Sequence, residues 1–237
     1  MDLTDLLLWG VFPYIVLTIF IGGHVYRYQK DQFGWTTKSS EFLEKKRLRI
    51  GSLLFHWGII FVFGGHVLGL IIPVSFYNAL GITEHMYHVI AITFGVPVGI
   101  AALIGIILLT YRRISIKRIK ATTSTSDWVT LIFLILAIVT GLIATSLNVD
   151  SNGFDYRTTI APWLRGLFIF NVQPELMATI PIWFKIHIYA TFALYVVWPF
   201  TRLVHAFSFP VKYLRRSYVI YKKRIPQTKK VSEESSI

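Results

Sequence analysis

The chain has 237 residues, of which 54% are hydrophobic and 15% charged, with a mean hydropathy of +0.57. That balance excludes a soluble domain of this size, which would carry more charge and shorter apolar runs, and indicates an integral membrane protein. The net charge of +12 is not a nucleic-acid footprint, because 21 of the 24 Lys and Arg residues fall in three hydrophilic blocks: seven from Arg27 to Arg49, five from Arg112 to Lys120 and nine from Arg202 onward.

Such blocks mark cytoplasmic loops under the positive-inside rule, and part of them suits docking of an acidic partner. There are no cysteines, which excludes thiolate-bound iron–sulfur clusters, c-type haem attachment and disulfides within this chain. The start, Met1-Asp-Leu-Thr-Asp, has neither a basic n-region nor a small-residue cleavage site, so the first apolar segment is expected to be a permanent span.

The expected fold is all-α: a polytopic bundle of five spans in one membrane domain covering 1–237. The spans run from Trp9 to Tyr26, Gly51 to Ile72, Met86 to Tyr111, Trp128 to Leu147 and Ile182 to Phe207. With three basic blocks in alternate connections, all on one side, the N-terminus is expected outside and the C-terminus in the cytoplasm. The loops from Pro73 to His85 and from Asn148 to Pro181 are then external. The second of these contains Trp163-Leu-Arg-Gly-Leu-Phe-Ile-Phe, whose apolar and aromatic content suits a segment lying at the interface. Residues 210–237 read as a basic cytoplasmic tail.

Four histidines in two of these spans carry the chemistry. His56 and His66 lie in the second span, His187 and His205 in the fifth. Ionisable side chains at such depths are costly and are functional candidates by default. The two spans run antiparallel, so His56 is expected to meet His205 toward the cytoplasm, and His66 to meet His187 toward the outside. At a rise of 1.5 Å, ten residues separate one pair by about 15 Å and eighteen the other by about 27 Å, placing two centres roughly 21 Å apart. Ten residues also leave His56 and His66 about 80° apart in azimuth, a mismatch that tilt or a kink at Pro199 must absorb.

Two imidazoles per centre, with no Asp or Glu near them in either span, suit bis-histidine haem b better than catalytic zinc. A lone intramembrane histidine is often a satisfied polar residue or a helix–helix hydrogen bond, and His24, with no partner at its depth, is read as a packing residue. Gly58, Gly64, Gly65 and Gly69 leave room for a macrocycle or serve close helix packing. Arg202, one turn before His205, suits a propionate, and Arg112 and Arg113 lie at the same level.

Leu54-Phe-His-Trp-Gly-Ile, Gly64-Gly-His-Val-Leu-Gly, Pro199-Phe-Thr-Arg-Leu-Val-His, Ser208-Phe-Pro-Val-Lys-Tyr-Leu and Arg112-Arg113 with Ala121-Thr-Thr together resemble the cytochrome b-type gamma subunit of membrane-bound respiratory nitrate reductase, over nearly the whole chain. The resemblance implies a multi-pass protein of the bacterial cell membrane with two haem b groups. It would oxidise quinol (menaquinol or ubiquinol) near the outer haem and pass electrons to a cytoplasmic iron–sulfur beta subunit and molybdenum-containing alpha subunit, which it also anchors. The family uses a lysine just after the second helix for quinol. Here that stretch reads Thr83-Glu-His-Met-Tyr-His, so Glu84, His85, Tyr87 and His88 are the quinol candidates, against a reading of the two histidines as interfacial residues. Related b-type subunits of sulfite- or heterodisulfide-linked complexes are the alternative partner set. A cofactor-free small transporter is the alternative class, poorly matched by a chain without an internal repeat.

Overall fold

The structure is a computed structural model and describes residues 3–31, 35, 40–149 and 154–208. The chain divides into two units, Met1–His205 and Ala206–Ile237, and the fold described is that of the first. The expected basic tail, 210–237, lies outside the described residues. These contain helices and turns and no strand: α1 (Leu3–Lys30), α2 (Lys46–Ile71), α3 (Val74–Ala79), α4 (Glu84–Ser115), α5 (Lys117–Ala121), α6 (Thr125–Ser146), α7 (Ile160–Phe168) and α8 (Ile182–Val197).

Four helices among the described residues, α1, α2, α4 and α6, are long and apolar enough to cross a membrane. Large apolar side chains such as Phe61, Phe94, Ile107 and Ile132 stay exposed along them, as lipid-facing positions do. In α2, α4 and α6, local chemistry satisfies the first N–H groups. Thr83 caps α4, accepting from the Met86 N–H. Ser124 and Asp127 form a reciprocal capping box at α6. Glu44 accepts from the Arg47 and Leu48 N–H groups at the start of α2.

The segment expected as a fifth span, 182–207, is not one helix. α8 ends at Val197, and two 3₁₀ turns follow, Trp198–Phe200 and Arg202–Phe207, with Thr201 extended between them. Pro199 has no N–H to continue the ladder and its ring crowds the preceding turn, so the break falls there. The carbonyls released do not go unsatisfied: the Arg27 guanidinium donates to Pro199 O at 2.7 Å and Thr201 O at 2.8 Å. Gly23 lets α1 approach, since a Cβ there would sit 2.8 Å from Pro199 Cβ. His187 therefore lies on regular helix and His205 in the 3₁₀ turn beyond the break.

α2 and α4 touch backbone to backbone. A Cβ on Gly58 would lie 2.6 Å from Ala102 N, and one on Gly105 would lie 2.3 Å from Phe55 N. Gly58 thus serves helix packing, whereas Gly64 and Gly65 face open space. One core cluster joins Phe55, Ile106, Leu131, Leu134, Leu194 and Leu203 across α2, α4, α6 and α8 and the turn that follows. A second holds α7 against α1 and α8: Trp163 is buried, donates to Trp9 O at 2.8 Å and meets the Trp9 ring edge-on.

Candidate functional site

Two histidines of α2 each meet an imidazole from the segment formed by α8 and the turns after it. The ring centroids of His56 and His205 are 6.2 Å apart, and those of His66 and His187 are 6.0 Å apart. Metal–nitrogen bonds of about 2 Å, with about 1 Å more from nitrogen to ring centre, put two imidazoles on opposite sides of one metal roughly 6 Å apart. The same separation occurs in ordinary aromatic pairs, so the protonation pattern matters.

That pattern is uniform. Nδ1–H of His56 donates to Ser52 O at 2.7 Å, that of His66 to Val62 O at 2.8 Å and that of His205 to Arg202 O at 2.6 Å. His187 Nδ1 lies 3.2 Å from Thr140 Oγ1. The Thr140 hydroxyl already donates to Leu136 O at 2.8 Å, so toward His187 it accepts. A carbonyl can only accept, which fixes the proton on Nδ1 and presents the Nε2 lone pair as the ligating atom. His24 also donates from Nδ1, to Phe20 O at 2.6 Å, but packs among Phe20 and Trp35 rather than opposite a second imidazole. The pairing, not the tautomer alone, separates the four from the fifth.

Among the described residues no three His, Cys, Asp or Glu side chains converge to hold a metal ion. The described residues offer a metal at either pair two ligands, a donor set that suits a planar macrocycle supplying the remainder better than tetrahedral zinc.

The chain matches the sequence profile of the nitrate reductase gamma subunit over residues 5–224. It is 59% identical over 218 residues to the nitrate reductase gamma chain of Bacillus subtilis (strain 168), covering 92% of this chain and 98% of that one. This chain belongs to the nitrate reductase gamma subunit family. More distant gamma-family relatives include the respiratory nitrate reductase 1 gamma chain of Escherichia coli (strain K12), 28% identical over 94% of this chain and all of that one. The nitrate reductase-like protein NarX of Mycobacterium tuberculosis (strain ATCC 25618 / H37Rv) is 44% identical over 94% of this chain, which spans 34% of that longer protein. Membership makes the chain a multi-pass membrane subunit for electron transfer in a nitrate reductase, associated with that enzyme's other subunits.

Within this gamma-family fold, the arginines divide in role. Arg112 is buried: its guanidinium donates to Glu44 Oε2 at 2.7 Å, Glu44 O at 2.6 Å, Ser40 Oγ at 2.9 Å and Ser40 O at 3.0 Å. It clasps the loop before α2 with four of its five N–H donors, which makes it a structural residue first. Burial works to raise the Glu44 pKa, but hydrogen bonds from the Arg47 N–H, Arg112 and the Leu48 N–H hold it below the usual 4.5. Arg202 is ion-paired to Asp127, whose other oxygen takes Arg113 at 3.2 Å. Asp127 is a carboxylate near His205 that local sequence reasoning missed, because it comes from α6 rather than from α2 or α8.

The quinol candidates do not converge. Glu84 and His85 are exposed at the start of α4, and His88 Nε2 lies 3.3 Å from Val149 O. Tyr87 packs against the turn that follows His66. A Cβ on Gly69, three residues past His66, would lie 2.9 Å from the Tyr87 hydroxyl and 3.2 Å from that of Tyr156. The guanidinium of buried Arg157 stacks 4.3 Å from the Tyr87 ring centre. Burial opposes the Arg157 charge, yet its hydrogen bonds and ion pair with Asp155 more than offset this and raise its pKa. Burial raises the Tyr156 pKa, so that hydroxyl keeps its proton.

Three features here lay beyond local reading. One is the π-helical turn Val67–Ile71 that follows His66 directly and aims Gly69 at Tyr87. The others are Thr140 and Gly141, which form the seat of His187: a Cβ on Gly141 would lie 2.9 Å from His187 Cε1. The visible hint was a Thr-Gly pair in the otherwise apolar middle of α6.

Proposed function

We propose that this chain is the di-haem b, quinol-oxidising subunit of a respiratory nitrate reductase, with His56 and His205 ligating the inner haem and His66 and His187 the outer one. The observation that carries this reading is the meeting of four imidazoles in two pairs, each at a separation suited to one metal and each presenting Nε2. Haem bound at the two sites supplies one-electron carriers that span the bilayer between a two-electron donor on one side and a partner on the other.

The chain's own contribution is to orient and insulate. The Ser52, Val62 and Arg202 carbonyls and the Thr140 hydroxyl hold the four rings in one tautomer and keep their basicity high. Gly64 and Gly65 leave the α2 surface open beside His66. Tyr87, beside the turn after His66 and backed by Arg157, offers a phenol for a quinol oxygen, and Glu84, His85 and His88 remain weaker candidates at the start of α4. Quinol oxidation at this end releases its protons to the outside.

In this reading 182–207 is the fifth pass, interrupted at Pro199, with the N-terminus outside and the C-terminus cytoplasmic. At about 1.5 Å per α-helical residue and 2.0 Å per 3₁₀ residue, the broken segment is still long enough to cross. The basic blocks then face the cytoplasm, where an iron–sulfur subunit and a molybdenum-containing subunit would dock and receive electrons from the His56–His205 end.

The test is haem stoichiometry by pyridine haemochrome on the purified subunit, with reduction by a soluble quinol followed optically. Two b-type haems per chain, both reducible by quinol, are expected. One haem or none in a folded sample, or haems that quinol leaves oxidised, would contradict the assignment.

A further inference from the structure

His205 is presented by backbone that has left the α-helix, so something other than a helical ladder must hold it. Three side chains from two other helices do so. Arg27 of α1 takes the carbonyls of Pro199 and Thr201. Ser126 of α6 donates to Phe200 O at 3.2 Å. Asp127, one residue further on, ion-pairs with Arg202, and the Arg202 carbonyl is the group that fixes His205 Nδ1.

Asp127 is the centre of this arrangement. Its side chain is 3% exposed and sits between two guanidiniums, Arg113 of α4 and Arg202. It also accepts from the Ser124 N–H at 3.0 Å as part of the capping box, so its position is tied to the start of α6. A buried carboxylate with this many charged and N–H donors remains ionised, and it links three elements at one point. Two positive charges and one negative leave the cluster with a single net positive charge beside the turn that carries His205.

We propose that Asp127 is a positioning residue for the inner metal centre: through Arg202 it sets the orientation of His205, and with Arg113 and Arg202 it sets the local charge that tunes the centre's reduction potential. The proposal rests on the di-haem reading above. Its physical basis is that ligand hydrogen bonding and nearby charge in a low-dielectric site are two of the protein's main levers on such a potential. A less negative cluster favours the reduced state, and a less positive one disfavours it. Removing Asp127's charge and removing Arg113's charge should therefore move the inner potential in opposite directions, which loss of packing alone would not do.

The experiment is a redox titration of both optical components, with low-spin EPR spectra, on the assembled complex carrying wild-type, D127N, D127E or R113Q subunit. The wild type is the control for the underlying reading: if it lacks two bis-imidazole haems, that reading fails before any variant is considered. With two haems present, D127N is expected to raise the inner potential and R113Q to lower it, with the outer potential unchanged. D127N should also shift the inner haem's low-spin EPR signal, which reports the relative orientation of the two imidazoles. D127E, which keeps the charge, should return the potential toward wild type. Should D127N fail to assemble, R113Q, which leaves the Asp127–Arg202 pair in place, decides the charge effect and D127E the orientation. An inner potential and EPR signal unmoved by these substitutions, or shifts of the same sign in D127N and R113Q, would overturn the proposal.

Discussion

His187 rides on the regular helix α8, whereas His205 hangs from a backbone that abandons helical geometry at Pro199. The outer ring is held by what lies beneath it, a glycine that lets the imidazole settle and a threonine hydroxyl that fixes its tautomer. The inner ring is held by what surrounds its strand of backbone: Arg27, Ser126 and the Asp127–Arg202 pair. Their partners on α2 repeat the contrast in reverse. His56 lies within regular α-helix, while His66 is the last residue before a π turn. Each pair thus joins one imidazole on regular helix to one beside a break. The break at Pro199 costs local hydrogen bonds but frees His205 from the helical phase of His187, so that two histidines ten residues apart on α2 can each meet a partner.

The strongest way to break this comparison is to fill the seat of the outer ring. Gly141→Leu would drive a side chain into His187, and the ring must leave because the clash is with its atoms rather than with a flexible tip. Complete loss of the outer optical component, with the inner one retained, is the expected result in redox-titrated difference spectra.

Arg27→Met attacks the other design. It strands two carbonyls at about 1–3 kcal/mol each. The inner component should lose occupancy and its melting temperature should fall, with the outer component kept.

Thr140→Val is smaller, removing one hydrogen bond worth about 1 kcal/mol, and should lower the outer haem's affinity by up to about tenfold without abolishing it. Haem retention during dilution or competition with a haem-binding protein would measure it.

The smallest effect concerns Glu44, which serves neither ring. Its folded pKa lies below the usual value of 4.5, so its clasp on Arg112 contributes fully above that pH. As pH falls, the unfolded chain takes up the proton first and the contribution fades until it is gone below the folded pKa. The wild type should therefore lose thermal stability on acidification below about pH 4.5 more steeply than Glu44→Gln, with both optical components equally affected.

How much of this was readable in advance depends on whether the cause is local. The apolar runs that become α1, α2, α4 and α6 are local, as are the Thr83 and Ser124 caps, so the four helices were legible, although α1 starts six residues before the Trp9 expected. Pro199 marked a kink, but not that α-helix would end two residues before it, nor that Arg27 would take up the released carbonyls from 172 positions away. Arg112 reads as one more basic residue in a positive block; its burial depends on a loop carbonyl and a carboxylate seventy residues earlier. Spacing placed histidines on two segments, but the groups that seat them, Thr140, Gly141 and Asp127, come from a third segment and left no periodic trace in either of the others.

The central claim is that four histidines form two independent centres, His56 with His205 and His66 with His187. Its most direct test is to replace each with alanine and titrate the optical spectrum of all four variants. The account predicts two groups: His56→Ala and His205→Ala remove one component, and His66→Ala and His187→Ala remove the other while leaving part of the first. Loss of the same component in His56→Ala and His66→Ala would contradict it.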